Sequence, residues 1–218
     1  MDSIFESLEN ALQVITLIIC GIYALVRVHL VREKSWLLLF FFYGSFLLGD
    51  LYWQVCLLCL GDIPKVSIVS DLSWYAAYMF LYLLLKTAGE GPEGSKVPAA
   101  SGAGRFLPCL GPVFTAVMTF LFIYIQNGNI IINVIYAVLM GILLFSSIKG
   151  LMLTAGDKDA LRSLYRTVFA FCLLEYALWT SSCLWDIVVF RYIYCGIDLM
   201  ITLSFVRLLL VKDKGVRS

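Results

Sequence analysis

The chain has 218 residues, of which 61% are hydrophobic and 14% charged, with a mean hydropathy of +0.92. Water-soluble domains carry about 45–50% apolar and about 25% charged residues, so this composition excludes an ordinary soluble enzyme and a disordered chain. Sixteen Lys and Arg against fifteen Asp and Glu leave a net charge of +1, which offers no field to a nucleic acid.

Seven apolar stretches approach the length of about 20 residues that a membrane-crossing helix needs. They run over 8–31, 35–60, 66–88, 106–126, 129–152, 162–184 and 187–211. The expected fold is an all-α integral membrane protein of seven transmembrane helices forming one domain over 1–218. The start, Met1-Asp2-Ser3-Ile4-Phe5-Glu6, is acidic, and no small-residue cleavage site follows it. The first stretch therefore reads as a permanent span rather than a signal peptide. Arg32–Lys34, Gly61–Lys65 and Asn127–Gly128 are short enough to make their flanking helices antiparallel neighbours. Residues 89–105 are rich in Gly, Pro, Ser and Ala and read as a flexible linker between spans 1–3 and spans 4–7. No soluble domain is expected outside the spans.

The basic residues orient the chain. All of them except Lys65 and Arg191 fall at one alternating set of span ends. By the positive-inside rule that set is cytoplasmic, which puts the N-terminus outside and the C-terminus inside.

Charge inside a membrane is costly, by about 2.5–3.5 kcal/mol per residue on insertion scales, and normally faces the bundle interior. Asp50, Asp71, Glu175 and Asp198 lie within spans 2, 3, 6 and 7. Helical spacing puts Phe46, Trp53, Gln54 and Leu57 on the face of Asp50, and Trp74, Tyr75, Tyr78 and Tyr82 on that of Asp71. Trp179, Ser182 and Asp186 follow Glu175, while Arg191, Tyr194, Thr202 and Phe205 share a stripe with Asp198. Trp185, Tyr192 and Asp62 suit an interfacial belt. The deeper acids suit either a polar network joining helices or an outward-facing pocket of acids and rings. The latter fits a small cationic or amphipathic ligand, through ion pairing and cation–π contact. The candidate ligand-binding set is Asp50, Trp53, Asp71, Trp74, Tyr75, Tyr78, Glu175, Trp179, Arg191, Tyr194 and Asp198. Arg191 is expected to reach towards Asp198 or to meet Asp186. Deep carboxyls without a basic partner also make proton-linked behaviour an expectation.

Other chemistry is sparse. The single histidine, His29, sits beside Arg27 and Arg32 and reads as interfacial, so neither a multi-His metal centre nor a Ser–His relay is expected. Cys56-Leu-Leu-Cys59 lies within an apolar stretch and has no second pair, so no zinc or redox role is expected. Cys183 and Cys195 flank the last hairpin and leave a disulfide there open. No lysine lies in the middle of span 7, and no cofactor is expected. Small residues at Ser45/Gly49, Ala137/Gly141 and Ser146/Gly150 suit close helix packing, and spans 4 and 5 read as scaffold.

Two hairpins echo each other. Spans 2–3 carry Gly49-Asp50-Leu51-Tyr52-Trp53, Gly61 and Ser70-Asp71-Leu72-Ser73-Trp74; spans 6–7 carry Leu184-Trp185-Asp186-Ile187 and Tyr194-Cys195-Gly196-Ile197-Asp198-Leu199. Each has an Asp, a turn, a second Asp and an apolar exit, which suggests duplicated hairpins around one site. At these residues the chain resembles the multi-span N-terminal membrane regions of bacterial diguanylate cyclase and histidine kinase sensors. That resemblance implies a free-standing sensor-like protein in a bacterial cytoplasmic membrane, passing helix movement to a membrane or cytoplasmic signalling partner. Ser45-Phe46-Leu47-Leu48-Gly49-Asp50 is also similar to the Ser-Leu-Leu-Gly-Asp element of lysoplasmalogenase-type (YhhN-like) membrane hydrolases, with Ser182 and Asp186 standing for a later Ser-Asp element. This second likeness implies an alternative, an intramembrane lipid hydrolase using Asp50 with Asp186 or Asp198. A small proton-linked transporter using the same acids is the third reading.

Overall fold

A backbone surrounded by apolar side chains has to satisfy its own hydrogen bonds, and helices do so within a single segment. The computed structural model describes residues 2–60, 68–89, 102–126, 130–154 and 159–217, and the side chains of 7–60, 68–89, 106–121, 130–154 and 160–214. The described residues form seven α-helices, one 3-10 helix and no strand. In chain order they are α1 (Asp2–Val31), α2 (Lys34–Leu60), α3 (Ile68–Gly89), a 3-10 helix (Gly102–Cys109), α4 (Leu110–Gln126), α5 (Ile130–Leu153), α6 (Asp159–Cys183) and α7 (Val188–Arg217).

Five helical segments are long and apolar enough to cross a membrane: Ser7–Val31, Lys34–Leu60, Ile68–Gly89, Ile130–Leu153 and Val188–Lys214. The stretch expected over 106–126 starts as 3-10 helix, and its described apolar part, Phe106–Leu121, is shorter. In α6 the side chains of Arg162, Arg166 and Glu175 interrupt the apolar run. Helical backbone also extends past two expected bounds. The last helix does not stop at 211 but continues to Arg217. The linker expected over 89–105 already has helical backbone from Gly102 onwards. Its central part, like the connections 61–65 and 127–128, lies outside the described residues.

The helices alternate in direction, as their cross-contacts show. Gln54 of α2 meets Ser7 near the start of α1, while Arg27 near its end meets Asp213 of α7. Six helices close a ring in the order α1, α2, α3, α5, α6, α7, and α7 returns to α1. The seventh, α4, lies outside the ring against α5 and also touches α6. Close approach of α4 to α5 is possible because a Cβ on Gly111 would lie 2.7 Å from that of Leu144. The bundle end carrying the start of α1 and the α6–α7 turn is termed the N-face, and the opposite end the C-face.

Burial is inverted relative to a water-soluble bundle. Asp50, Glu175 and Asp198 are buried, whereas Ile15, Ile19, Ile22, Leu58, Val189 and Leu203 are exposed. The centre is a plug of rings. Phe205 packs against Phe46 at 4.9 Å, Phe42 at 5.9 Å and Phe171 at 6.0 Å between centroids, drawing α2, α6 and α7 together. Tyr43 donates a hydrogen bond to the Phe205 carbonyl at 2.8 Å.

The C-face is pinned by charge. Arg27 pairs with Asp213 and stands 5.2 Å from the centre of the buried Trp36 ring, and Lys212 pairs with Glu33 at 2.6 Å. Partial burial works against ionisation of Glu33, but hydrogen bonds from Lys212 and Ser35 outweigh it and hold its carboxyl below the usual glutamate range. These contacts tie the α1–α2 turn to α7. In that turn Arg32 takes φ 56°, a left-handed conformation that stops α1 while its N–H still bonds the Val28 carbonyl at 3.0 Å.

Candidate functional site

All six ring helices, but not α4, line one cavity of about 340 Å³ in the N-face half of the bundle. From α2 come Phe46, Asp50 and Trp53, and from α3 Asp71, Trp74, Tyr75 and Tyr78. The opposite wall is Glu175, Leu178, Trp179 and Ser182 of α6 with Tyr194, Asp198 and Ile201 of α7. Asn10 and Gln13 of α1 and Ile132, Asn133 and Tyr136 of α5 complete it. Of the eleven residues singled out from the sequence, only Arg191 is not in the lining.

The buried acids are held by neutral donors. Trp74 Nε1 donates to Asp50 Oδ1 at 2.9 Å, and the Tyr78 hydroxyl donates to Glu175 Oε2 at 3.1 Å. With its amide turned to bring the nitrogen to Asp198, the orientation that satisfies both groups, Gln13 donates to the two carboxyl oxygens at 3.1 and 2.8 Å. Glu175 acts electrostatically on Asp50, Asp198 acts on Glu175, and Glu9 and Asp50 act on Asp198. Glu175 Oε1 is buried and receives no hydrogen bond from the described residues. Among the described residues the lining contains four carboxylic side chains and no Lys, Arg or His.

Aromatic rings brace these groups. Trp74 packs on Trp53 at 6.1 Å, and Tyr136 on Tyr78 at 6.0 Å and on Trp179 at 5.0 Å. The Tyr75 hydroxyl donates to the Ile132 carbonyl at 2.8 Å, fixing α3 to α5. Phe46, which lines the cavity, belongs to the plug, so the plug forms its floor towards the C-face.

Arg191 lies at the N-face turn. Its Nε donates to the Trp185 carbonyl at 2.8 Å, and its guanidinium stands 5.8 Å from the Trp185 ring centre. Asp186 is exposed in the α6–α7 turn and does not line the cavity. No disulfide joins Cys183 to Cys195. His29 bonds the Leu25 carbonyl at 3.0 Å, far from the cavity at the C-face end of α1. Among the described residues no three acids, histidines or cysteines converge to hold a metal ion.

Sequence reasoning missed the contributions of α1 and α5. The polar positions Glu9, Asn10 and Gln13 on adjacent helical faces were a readable signal in α1. Span 5 read as scaffold for want of a deep charge, yet its first turns supply Asn133 and Tyr136. A broader groove of about 840 Å³ between α3, α4, α5 and α6 has mainly apolar walls with Lys86 and Lys149 among them, and no carboxylate lines it among the described residues. No family model, no curated protein and no solved structure matches the chain.

Proposed function

We propose that the chain is a seven-span membrane protein whose N-face cavity binds a small organic cation from outside the cell. Binding would shift the helices, and a partner at the C-face would read that shift. The observation that carries this reading is a cavity walled by four carboxylic side chains and by Trp and Tyr rings, with no basic side chain among the described residues of its lining. An ammonium group gains ion pairing from the acids and cation–π attraction from the rings, most strongly where water is excluded. The volume, about 340 Å³, lies within the range of small-molecule pockets. The apolar exterior supports membrane placement, and the crowding of Lys and Arg at the C-face supports a cytoplasmic C-face. Placement in a bacterial cytoplasmic membrane rests on the resemblance to bacterial sensors.

Tetramethylammonium is a suitable probe. A ligand at a hundred times its Kd stabilises the folded state by about 2.7 kcal/mol. The purified protein should therefore melt several degrees higher in saturating tetramethylammonium than in sodium at equal ionic strength, and Asp50→Asn should diminish the shift. An unchanged melting temperature would count against a cation site.

One feature of the ring favours a carrier as a second reading. Helices α1, α2 and α3 stand opposite α5, α6 and α7 respectively, each pair runs in the same direction, and α4 connects the halves outside the ring. Parallel repeats of this kind, with the site at their interface, occur in transporters. They extend the hairpin duplication expected for 2–3 and 6–7 by one helix each. Uptake of tetramethylammonium into proteoliposomes, driven by a proton gradient, separates carrier from receptor. A lipid hydrolase has less support, because Asp186 lies outside the cavity and only Asp198 remains to act with Asp50.

A further inference from the structure

We infer that the groove between α3 and α4 is a second site, separate from the acidic cavity, and that it binds an anionic phospholipid of the C-face leaflet. Because α4 lies outside the ring, α3 and α4 make no contact among the described residues, and α5 forms the floor between them. One wall runs from Tyr82 to Gly89 on α3 and the other from Pro112 to Phe120 on α4. At 1.5 Å per residue these walls are about 10–12 Å long. That is most of the roughly 15 Å half-thickness of a bilayer's hydrocarbon core, so the walled part matches one leaflet. Both walls begin at the C-face, where α3 ends and α4 starts. On the floor Ala137 and Gly141 leave depth for an acyl chain, and the floor continues to Val134 towards the N-face.

Charge selects the headgroup. Lys86 of α3 and Lys149 of α5 line the groove close to the C-face ends of their helices, and both are exposed. They are its only charged side chains among the described residues. Elsewhere on the C-face Arg27 pairs with Asp213 and Lys212 with Glu33, whereas no acid pairs with Lys86 or Lys149 among the described residues. A lipid phosphate between the two ammonium groups meets both, while its acyl chain follows the apolar gap. Basic ends of slots between membrane helices on the cytoplasmic side bind anionic headgroups in this way. Ser146, about 4.5 Å deeper on α5 than Lys149, places a hydroxyl at the level of the ester oxygens. A zwitterionic headgroup brings its own ammonium beside the lysines and gains less.

Native mass spectrometry of the full-length protein in mild detergent, with phosphatidylglycerol or phosphatidylcholine of the same chains added, tests this. The first phosphatidylglycerol should bind at least about tenfold more tightly than phosphatidylcholine, since each lysine near an anionic headgroup is worth several-fold in affinity. Lys86→Gln combined with Lys149→Gln should abolish that preference; both side chains are exposed, so the fold should tolerate the change. Ala137→Phe, which fills the floor and keeps both lysines, should weaken phosphatidylglycerol binding several-fold. If Ala137→Phe does not fold, the two lipids on the wild-type protein and on the lysine variant still decide. Soluble glycerophosphate should not displace the bound lipid. Equal affinity for the two lipids, a preference that survives loss of both lysines, or displacement by glycerophosphate would overturn the lipid site. So would a folded Ala137→Phe variant with unchanged binding, because the headgroup would then be held without the groove.

Discussion

Truncating Phe205 to alanine should cost about 3 kcal/mol of stability, measured by denaturant or thermal unfolding in detergent, and should be the most damaging of the plug substitutions. Phe205 is completely buried and touches rings from α2 and α6 at once, with Tyr43 edge-on at 6.3 Å and Phe46 at 4.9 Å. The same truncation in a water-soluble core costs about 3–5 kcal/mol. The low end applies because a separated helix still in lipid or detergent keeps the side chain from water, so what is lost is packing rather than burial. The void would also open the floor of the acidic cavity towards the C-face. Leu203, 67% exposed on the same helix, is the control. Its alanine variant should change stability by less than about 0.5 kcal/mol. Equal effects at the two positions would show that α7 does not pack through Phe205.

Replacing Gly49 by alanine should cost about 1–3 kcal/mol by overpacking and weaken cation binding about tenfold. A Cβ at Gly49 would lie 2.5 Å from Trp74 Nε1 and 2.8 Å from the adjoining ring carbon. The indole packs between Trp53 and Phe46 with its Nε1 on Asp50, so relieving the clash means swinging the ring and releasing Asp50. That leaves a buried carboxyl without its donor. Because the clash is with one ring, the effects should be non-additive: Trp74→Phe, which shortens the side chain, should recover part of the stability lost in Gly49→Ala. Additive losses would mean that the glycine is not there for the indole.

The Gly49 contact also shows how far the sequence could be read. Gly49-Asp50 stands out as a motif, yet its reason lies on another helix, since only the α2–α3 crossing sets Trp74 over the glycine. The apolar stretches were legible because apolar length is a local property, and so was the shared face of Phe46, Asp50 and Trp53, whereas Gln54 on the same stripe bonds Ser7. The closing of six helices into a ring, with α4 left out, depends on tertiary contacts such as Tyr75 with the Ile132 carbonyl. Periodicity cannot report those. Arg191 illustrates the same limit. Its helical stripe includes Asp198, yet Arg191 lies outside the cavity lining, with its Nε on the Trp185 carbonyl at the N-face. Asn133 and Tyr136 carry no charge to mark them out in an apolar span, and α5 brings only uncharged groups to the cavity.

The proposed site stands on deep acids of separate helices sharing one chamber that cations enter from the N-face. The most direct test uses the chamber's own tryptophans, Trp53, Trp74 and Trp179, in a Trp36→Phe, Trp185→Phe variant that removes the indoles of the C-face and of the N-face turn. With the protein in sealed liposomes, N-face outwards, the impermeant quencher N-methylpyridinium should quench this fluorescence strongly, and iodide should quench it weakly at the same concentration. Asp50→Asn with Glu175→Gln should narrow the difference. Equal quenching by both ions, or protection from both, would contradict a cation-selective chamber open on that side.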